Sequence, residues 1–198
     1  MEQLQTFKIS EFIHKVSFEK IPLHIIEQLK KHLLDSIASL LHAVNKPTIQ
    51  KLVRQIDKLG EGGLCTTPVL DNVAADRAAQ LYTALIRYPD FMDNYLGKAA
   101  TCHPSDNIGA LLAASQLTKA SGEDFFTALA IAYEIECRLV EEIPVMIKGF
   151  DHITLLAYSV TAALAKNVFS HKRTNGTCIG NSRMFVQSIG YLTCFIHI

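Results

Sequence analysis

Two short polar stretches interrupt a chain that otherwise reads as apolar helix. The first is Asp90-Phe91-Met92-Asp93-Asn94 followed by Thr101-Cys102-His103-Pro104-Ser105-Asp106-Asn107, and the second is Asp151-His152. Each falls where a helix is expected to begin. A helix start leaves free N–H groups and a partial positive charge, which suits a carboxylate or a phosphate. A histidine beside it can take or give a proton near neutral pH. These residue types together suit acid–base chemistry on a small anion. Structural roles fit the same residues. Asp90 and Asp93 can cap local turns, Asp106 can be a plain N-cap, and a lone histidine is more often structural than catalytic. His14, His24, His32 and His42 fall on helical faces, where surface or packing roles suit them better. A metal site from His103, His152 and an aspartate lacks any H-x-x-x-H or comparable ligand spacing. The sequence holds no dinucleotide-binding glycine motif, P-loop or G-x-S-x-G elbow. Residue types alone establish a helical domain with a candidate anion site, and no more.

The elements that must position these residues are helical throughout the first two-thirds of the chain. Ile9 to Val16 is a short amphipathic stretch. Pro22 opens a longer helix, in which Leu23, Ile26, Leu29, Leu33, Ile37, Leu40, Leu41 and Val44 recur at three- and four-residue steps as one buried stripe. Asn45-Lys46-Pro47 stops it. Thr48 to Leu59 forms the next helix, and the Ala-rich stretch Asn72 to Arg87 suits close helix packing. Tyr88 to Pro104 breaks the pattern. Ser105 or Asp106 caps a new helix over Asn107 to Lys119. Ser121-Gly122-Glu123-Asp124 is a capping box. It starts a helix from Phe125 to Glu142 that is apolar almost all round and therefore central. After the loop Gly149-Phe150-Asp151-His152, Ile153 to Phe169 is helical again. No strand alternation occurs before Phe169, so the expected fold class is an all-α bundle.

Composition narrows the function classes. The 198 residues are 49% hydrophobic and 19% charged, which is globular rather than disordered. Lys plus Arg and Asp plus Glu are 19 each, so there is no basic surplus to neutralise phosphates and no nucleic-acid partner is expected. No apolar run reaches the roughly 18 residues that span a bilayer, so no membrane partner is expected either. The N-terminus has no apolar stretch of signal-peptide length. Five cysteines (Cys65, Cys102, Cys137, Cys178 and Cys194) form no C-x-x-C pair. They read as reduced thiols of a cytoplasmic protein.

The stretch from Arg87 to Tyr95, the block from Thr101 to Asn107, Ala132-Tyr133-Glu134-Ile135, and Gly149-Phe150-Asp151-His152 resemble the MmgE/PrpD family in order and spacing from about Ile9 to Asn167. That family includes 2-methylcitrate dehydratase, cis-aconitate decarboxylase and iminodisuccinate epimerase. The resemblance implies a large all-helical domain, completed in the family by a smaller α/β lid domain that is expected to be absent from these 198 residues. It implies a homodimer when intact, and no metal or organic cofactor. The substrate would be a small di- or tricarboxylate, with removal of water from a 2-methylcitrate-like molecule as the first expectation. Decarboxylation, epimerisation or an inactive helical remnant are the alternatives. By resemblance, Asp90, His103 and His152 are catalytic, with the histidines handling protons and Asp90 orienting one of them. Asn94, Ser105 and Asp106 would bind substrate. Asn94 stands where some members carry Thr, and Pro89 where Leu or Val is usual.

The expected domain boundary follows Phe169. Residues 170–198 are polar, unperiodic and uncapped, unlike the helices before them. A coding sequence for Lys172 to Met184, read one base later, yields Lys-Glu-Gln-Met-Ala-His-Ala-Leu-Gly-Ile-Ala-Gly. That string is helical and family-like, so the tail is expected to be a frameshift product on a truncated enzyme.

Overall fold

The computed structural model describes residues 5–59 and 62–172. Among them are seven α-helices: α1 (Gln5–Lys15), α2 (Leu23–Ala43), α3 (Pro47–Lys58), α4 (Ala75–Arg87), α5 (Ile108–Thr118), α6 (Gly122–Glu142) and α7 (Ile153–Lys172). One antiparallel hairpin, β1 (Tyr95–Leu96) with β2 (Thr101–Cys102), lies between α4 and α5. The chain is all-α, and the hairpin is the correction to a reading without strands. Two-residue strands carry no alternation to recognise. From residue 173 onward, the expected aberrant tail lies outside the described residues. No helix among the described residues is long and apolar enough to cross a membrane.

Local sequence explains the breaks. Pro22 sits just before α2, and its carbonyl accepts the N–H groups of Ile25 and Ile26. Pro47 both ends the α2 pattern and opens α3, at a position whose N–H would be unpaired anyway. The box at α6 is present in full. Ser121 Oγ accepts the Asp124 N–H, and the Asp124 carboxylate accepts the Ser121 N–H.

Two helix pairs form the frame, α4 along α5 and α6 along α7. The main core gathers Leu29 and Leu40 of α2, Val53 of α3, Leu81 and Leu85 of α4, Leu111 of α5 and Leu129 of α6. A second cluster, Ile13 with Ile131, Ile135 and Ala162, fastens α1. A third, Ala100 and Cys102 with Val140, Val145 and Leu155, lies under the hairpin. Helix α6 contributes to all three, which matches its nearly all-round apolar surface. The α2 stripe is only partly buried. Ile26, Leu29 and Leu40 face inward, but Leu23 and Leu41 are 74% and 61% exposed. Leu23, Ile37 and Leu41 lie roughly a quarter turn around the helix from the inward row, so its apolar arc is wider than the core can cover.

Helices α4 and α5 approach each other at Gly109. A Cβ there would meet Thr83 Oγ1 and lie 2.6 Å from the Thr83 backbone nitrogen. Backbone cannot move aside as a side-chain tip can. Gly109→Ala is therefore expected to cost about 1–3 kcal/mol in denaturant unfolding. Gly122→Ala meets nothing within 4 Å. It should be neutral or stabilising by roughly 0.5 kcal/mol, through the unfolded chain. Equal effects at the two positions would contradict the close α4–α5 contact.

Candidate active site

The segment from Tyr88 to Asn107 carries most of the polar residues, and α6 holds it in place. The Ala99 and Ala100 N–H groups both donate to the Val140 carbonyl, at 3.1 and 3.0 Å. The Tyr95 hydroxyl donates to Glu141 at 2.7 Å. The hairpin is thereby tied to the C-terminal end of α6, and β2 delivers His103 directly into a 3-10 turn, Pro104–Asn107, that leads into α5.

His103 and His152 come together. Their rings lie edge to face with centroids 5.2 Å apart, although 49 positions separate them in the chain. His103 Nδ1 is 2.8 Å from the Asp93 carbonyl oxygen. A carbonyl can only accept, so Nδ1 carries the hydrogen and Nε2 keeps its lone pair. His152 Nδ1 lies 3.1 Å from Asp151 Oδ1, which also accepts the Ile153 N–H at 2.9 Å. His152 Nε2 is buried with no hydrogen-bond partner among the described residues, and so is Ser105 Oγ. Gly149, at φ 81°, closes the 3-10 turn Met146–Lys148 that precedes His152. Its left-handed backbone is one that glycine adopts without steric cost.

The remaining expected site residues are placed differently. Asp90 sits in a left-handed turn at φ 56°, donates its N–H to the Arg87 carbonyl, and is exposed. The structure does not bring it to either histidine as an orienting carboxylate. Asn94 is exposed as well. Asp106 is not an N-cap. It is buried within the 3-10 turn, and its carboxylate meets Arg87 Nη1 at 3.1 and 3.3 Å. Burial raises its pKa despite the Arg87 charge, which pulls the other way. Ser105 does not cap a helix with its side chain either. Both residues turn inward because the 3-10 turn tightens the chain before α5 begins.

Two residues outside the expected catalytic and binding set help hold this region together. Asp93, which the sequence offers as a turn cap, accepts the Ser105 N–H at 3.0 Å and the Tyr133 hydroxyl at 2.9 Å. Glu136 of α6 is wholly buried. Its Oε2 accepts from Asn107 Nδ2 at 2.5 Å and lies 3.4 Å from Ser159 Oγ, which donates to Asn107 Oδ1 at 2.8 Å. Its Oε1 has no partner among the described residues. The signal for Glu136 was its register: Leu129, Ala132, Glu136 and Val140 fall at helical spacing on one buried face. His32, expected in a surface or packing role, lies tilted against Tyr133 with ring centroids 5.4 Å apart, and its Nδ1 is 3.5 Å from Asp93 Oδ2.

Among the described residues no group of three or more His, Cys, Asp or Glu could hold a metal ion. A groove of about 470 Å³ lies between α2 and α6, lined by His32, Tyr133, Glu134, Cys137 and Arg138. It does not include the histidine pair. Its polar groups are paired with one another: Arg138 with Glu134, Gln28 with His32, and Tyr95 with Glu141.

Desolvation pushes the Glu136 pKa from 4.5 up to about 7, against the hydrogen bonds from Asn107 and Ser159. Folding therefore favours the protonated acid. The stability this brings is present below about pH 4.5 and is lost as pH rises through about 7. Glu136→Gln keeps the neutral shape at every pH. It should match the parent protein at about pH 4 and exceed it by about 2–3 kcal/mol above about pH 8, in denaturant unfolding across pH. Parallel stability curves for the two proteins would contradict a neutral Glu136.

The MmgE/PrpD N-terminal domain family matches residues 8–186. The 2-methylcitrate dehydratase of Escherichia coli (strain K12) is 31% identical over 146 residues, which is 68% of this chain and 30% of that protein. The 2-methylcitrate dehydratase of Escherichia coli O157:H7 is 30% identical over the same shares. The matched stretch thus spans about a third of the length of these curated relatives. Since the family match takes in both histidine loops and the helices that hold them, this chain belongs to the MmgE/PrpD family.

Proposed function

We propose that this chain supplies the proton-handling groups of a cofactor-independent carboxylate lyase. The reaction is elimination of water from a tricarboxylate of the 2-methylcitrate type. The observation that carries this reading is the His103–His152 pair, in which both Nδ1 atoms face oxygen acceptors and both Nε2 atoms are left for other partners. The names of the relatives support the choice of substrate.

Elimination needs a base for a proton on the carbon beside a carboxylate, and an acid for the departing hydroxyl. His103 Nε2 takes the proton, and the C–H electron pair becomes the new double bond. The hydroxyl leaves as water with a proton from the imidazolium form of His152. Asp151, against Nδ1, is placed to stabilise that positive ring. Ser105 Oγ, buried and unpartnered two residues beyond His103, is a donor for a substrate carboxylate. The exposed Asp90 and Asn94 border the same loop. No step here draws on a metal or organic cofactor.

The test is to incubate the purified chain with 2-methylcitrate and follow the new carbon–carbon double bond by ultraviolet absorbance. His103→Ala and His152→Ala should each lower kcat by about 10²–10⁴-fold. A near-normal kcat in His103→Ala would sink its role as base. Release of carbon dioxide, or inversion without loss of water, would assign the decarboxylase or epimerase chemistry of the same family. No turnover of any of these substrates by folded protein would favour a non-enzymatic helical role.

A further inference from the structure

One residue of the loop that carries His103 takes three hydrogen bonds, one of them from that histidine. Asp93 Oδ1 accepts the Ser105 backbone N–H at 3.0 Å. Asp93 Oδ2 accepts the Tyr133 hydroxyl at 2.9 Å and faces His32 Nδ1 at 3.5 Å. The Asp93 carbonyl accepts from His103 Nδ1 at 2.8 Å. The carboxylate thus holds the chain two residues beyond His103 while the carbonyl of the same residue holds the ring itself. Tyr133 reaches in from α6 and His32 from α2, and their rings lie against each other. Asp93 is therefore fastened from two helices that do not carry the loop.

From this geometry we infer that Asp93 is a positioning residue, clamped by Tyr133 and His32, that fixes His103 in its Nδ1–H tautomer and leaves Nε2 to accept protons. The assignment of that nitrogen as the reactive one rests on the proposed elimination. The tautomer itself does not. The chemistry suits a carboxylate here because the Ser105 N–H and the Tyr133 hydroxyl both donate to it, with His32 Nδ1 3.5 Å away, and a carboxylate only accepts. Burial, with the Asp93 charge beside it, pushes the Tyr133 hydroxyl well above its ordinary pKa, so it remains a donor. Asparagine can still accept from the Ser105 N–H and can donate to Tyr133 if that hydroxyl rotates. Alanine offers neither bond. Asp90, three residues earlier, sits exposed on its turn and has no such role.

The test is long-range proton–nitrogen NMR on the ¹⁵N-labelled 198-residue chain, above the pH at which histidine titrates, with His103 assigned by its loss in His103→Gln. The expected result is Nδ1–H for His103 in the unaltered protein. Asp93→Ala should shift the signals toward the Nε2–H form that a free histidine side chain prefers, and Asp93→Asn should largely restore the Nδ1–H form. A residue needed only for folding would not give that recovery. Should Asp93→Ala fail to fold, Tyr133→Phe keeps the carboxylate and removes one clamp, and a partial shift is expected. Nε2–H in the unaltered protein would overturn the inference. So would an unchanged Nδ1–H form in every folded variant of Asp93→Ala and Tyr133→Phe. No substrate is present, so these outcomes are read apart from turnover. An Nε2–H result would remove His103 Nε2 as the base, whereas turnover of 2-methylcitrate is read separately; an inactive chain leaves the tautomer result standing.

Discussion

A carboxyl group with no exposure to water joins the three pieces of chain on which the site depends. Glu136 belongs to α6, Asn107 to the turn that follows His103, and Ser159 to the helix that follows His152. Hydrogen bonds among these three fix the 3-10 turn and α7 against the same side of α6. The two histidines start from those two elements, so their 5.2 Å approach follows from packing beneath them. Burying a carboxyl is costly unless it is neutral or well paired. Its raised pKa is the form that cost takes.

Above this network the loop has little regular structure and borrows its order from α6. The Val140 carbonyl, Glu141 and Tyr133 each bind it from one helix. Irregular backbone must satisfy its polar groups somewhere, and here side chains and helix-end carbonyls do so. This arrangement lets a loop carry reactive side chains while its anchor points stay rigid. Arg87 completes the frame from α4 by meeting the Asp106 carboxylate. The Asp106 carboxylate, which its sequence position suggests as a cap, is instead paired with Arg87 inside the turn.

How much of this could be read from the residues depended on the range of the signal. Local signals were legible: the Ser121 capping box, Pro47 at a helix start, the breaks at Pro89 and Pro104, and an α6 too apolar to lie on a surface. The pairing of His103 with His152 followed from family resemblance, since no spacing rule links two residues on separate loops. Asp90 and Asp93 lie three positions apart with similar neighbours, and only the fold shows which one turns inward. The α2 stripe misled because periodicity reports an apolar arc but not how much of it the rest of the chain covers. Glu136 was readable in principle from its place in the Leu129–Val140 row. Its neighbours Glu134, Glu141 and Glu142 mask that signal, because on such a helix one more carboxylate resembles solvent-facing charge. His32 had no such signal, because its partner Asp93 comes from a distant loop.

Unsatisfied polar groups, rather than cavity size, distinguish the candidate site. The groove between α2 and α6 is roomy, yet its charged and polar side chains are already matched to one another. The histidine loops hold two buried polar atoms without a partner among the described residues, Ser105 Oγ and His152 Nε2. Each such atom costs about 1–3 kcal/mol relative to a bonded one. Folded chains keep such groups sparingly, so two on adjoining loops beside a second histidine are what single these loops out as the candidate site. The groove and the site nevertheless share a wall. Tyr133 and His32 line the groove and hold Asp93. The packing of α2 on α6 is thereby coupled, through one carboxylate and one carbonyl, to the ring orientation of His103.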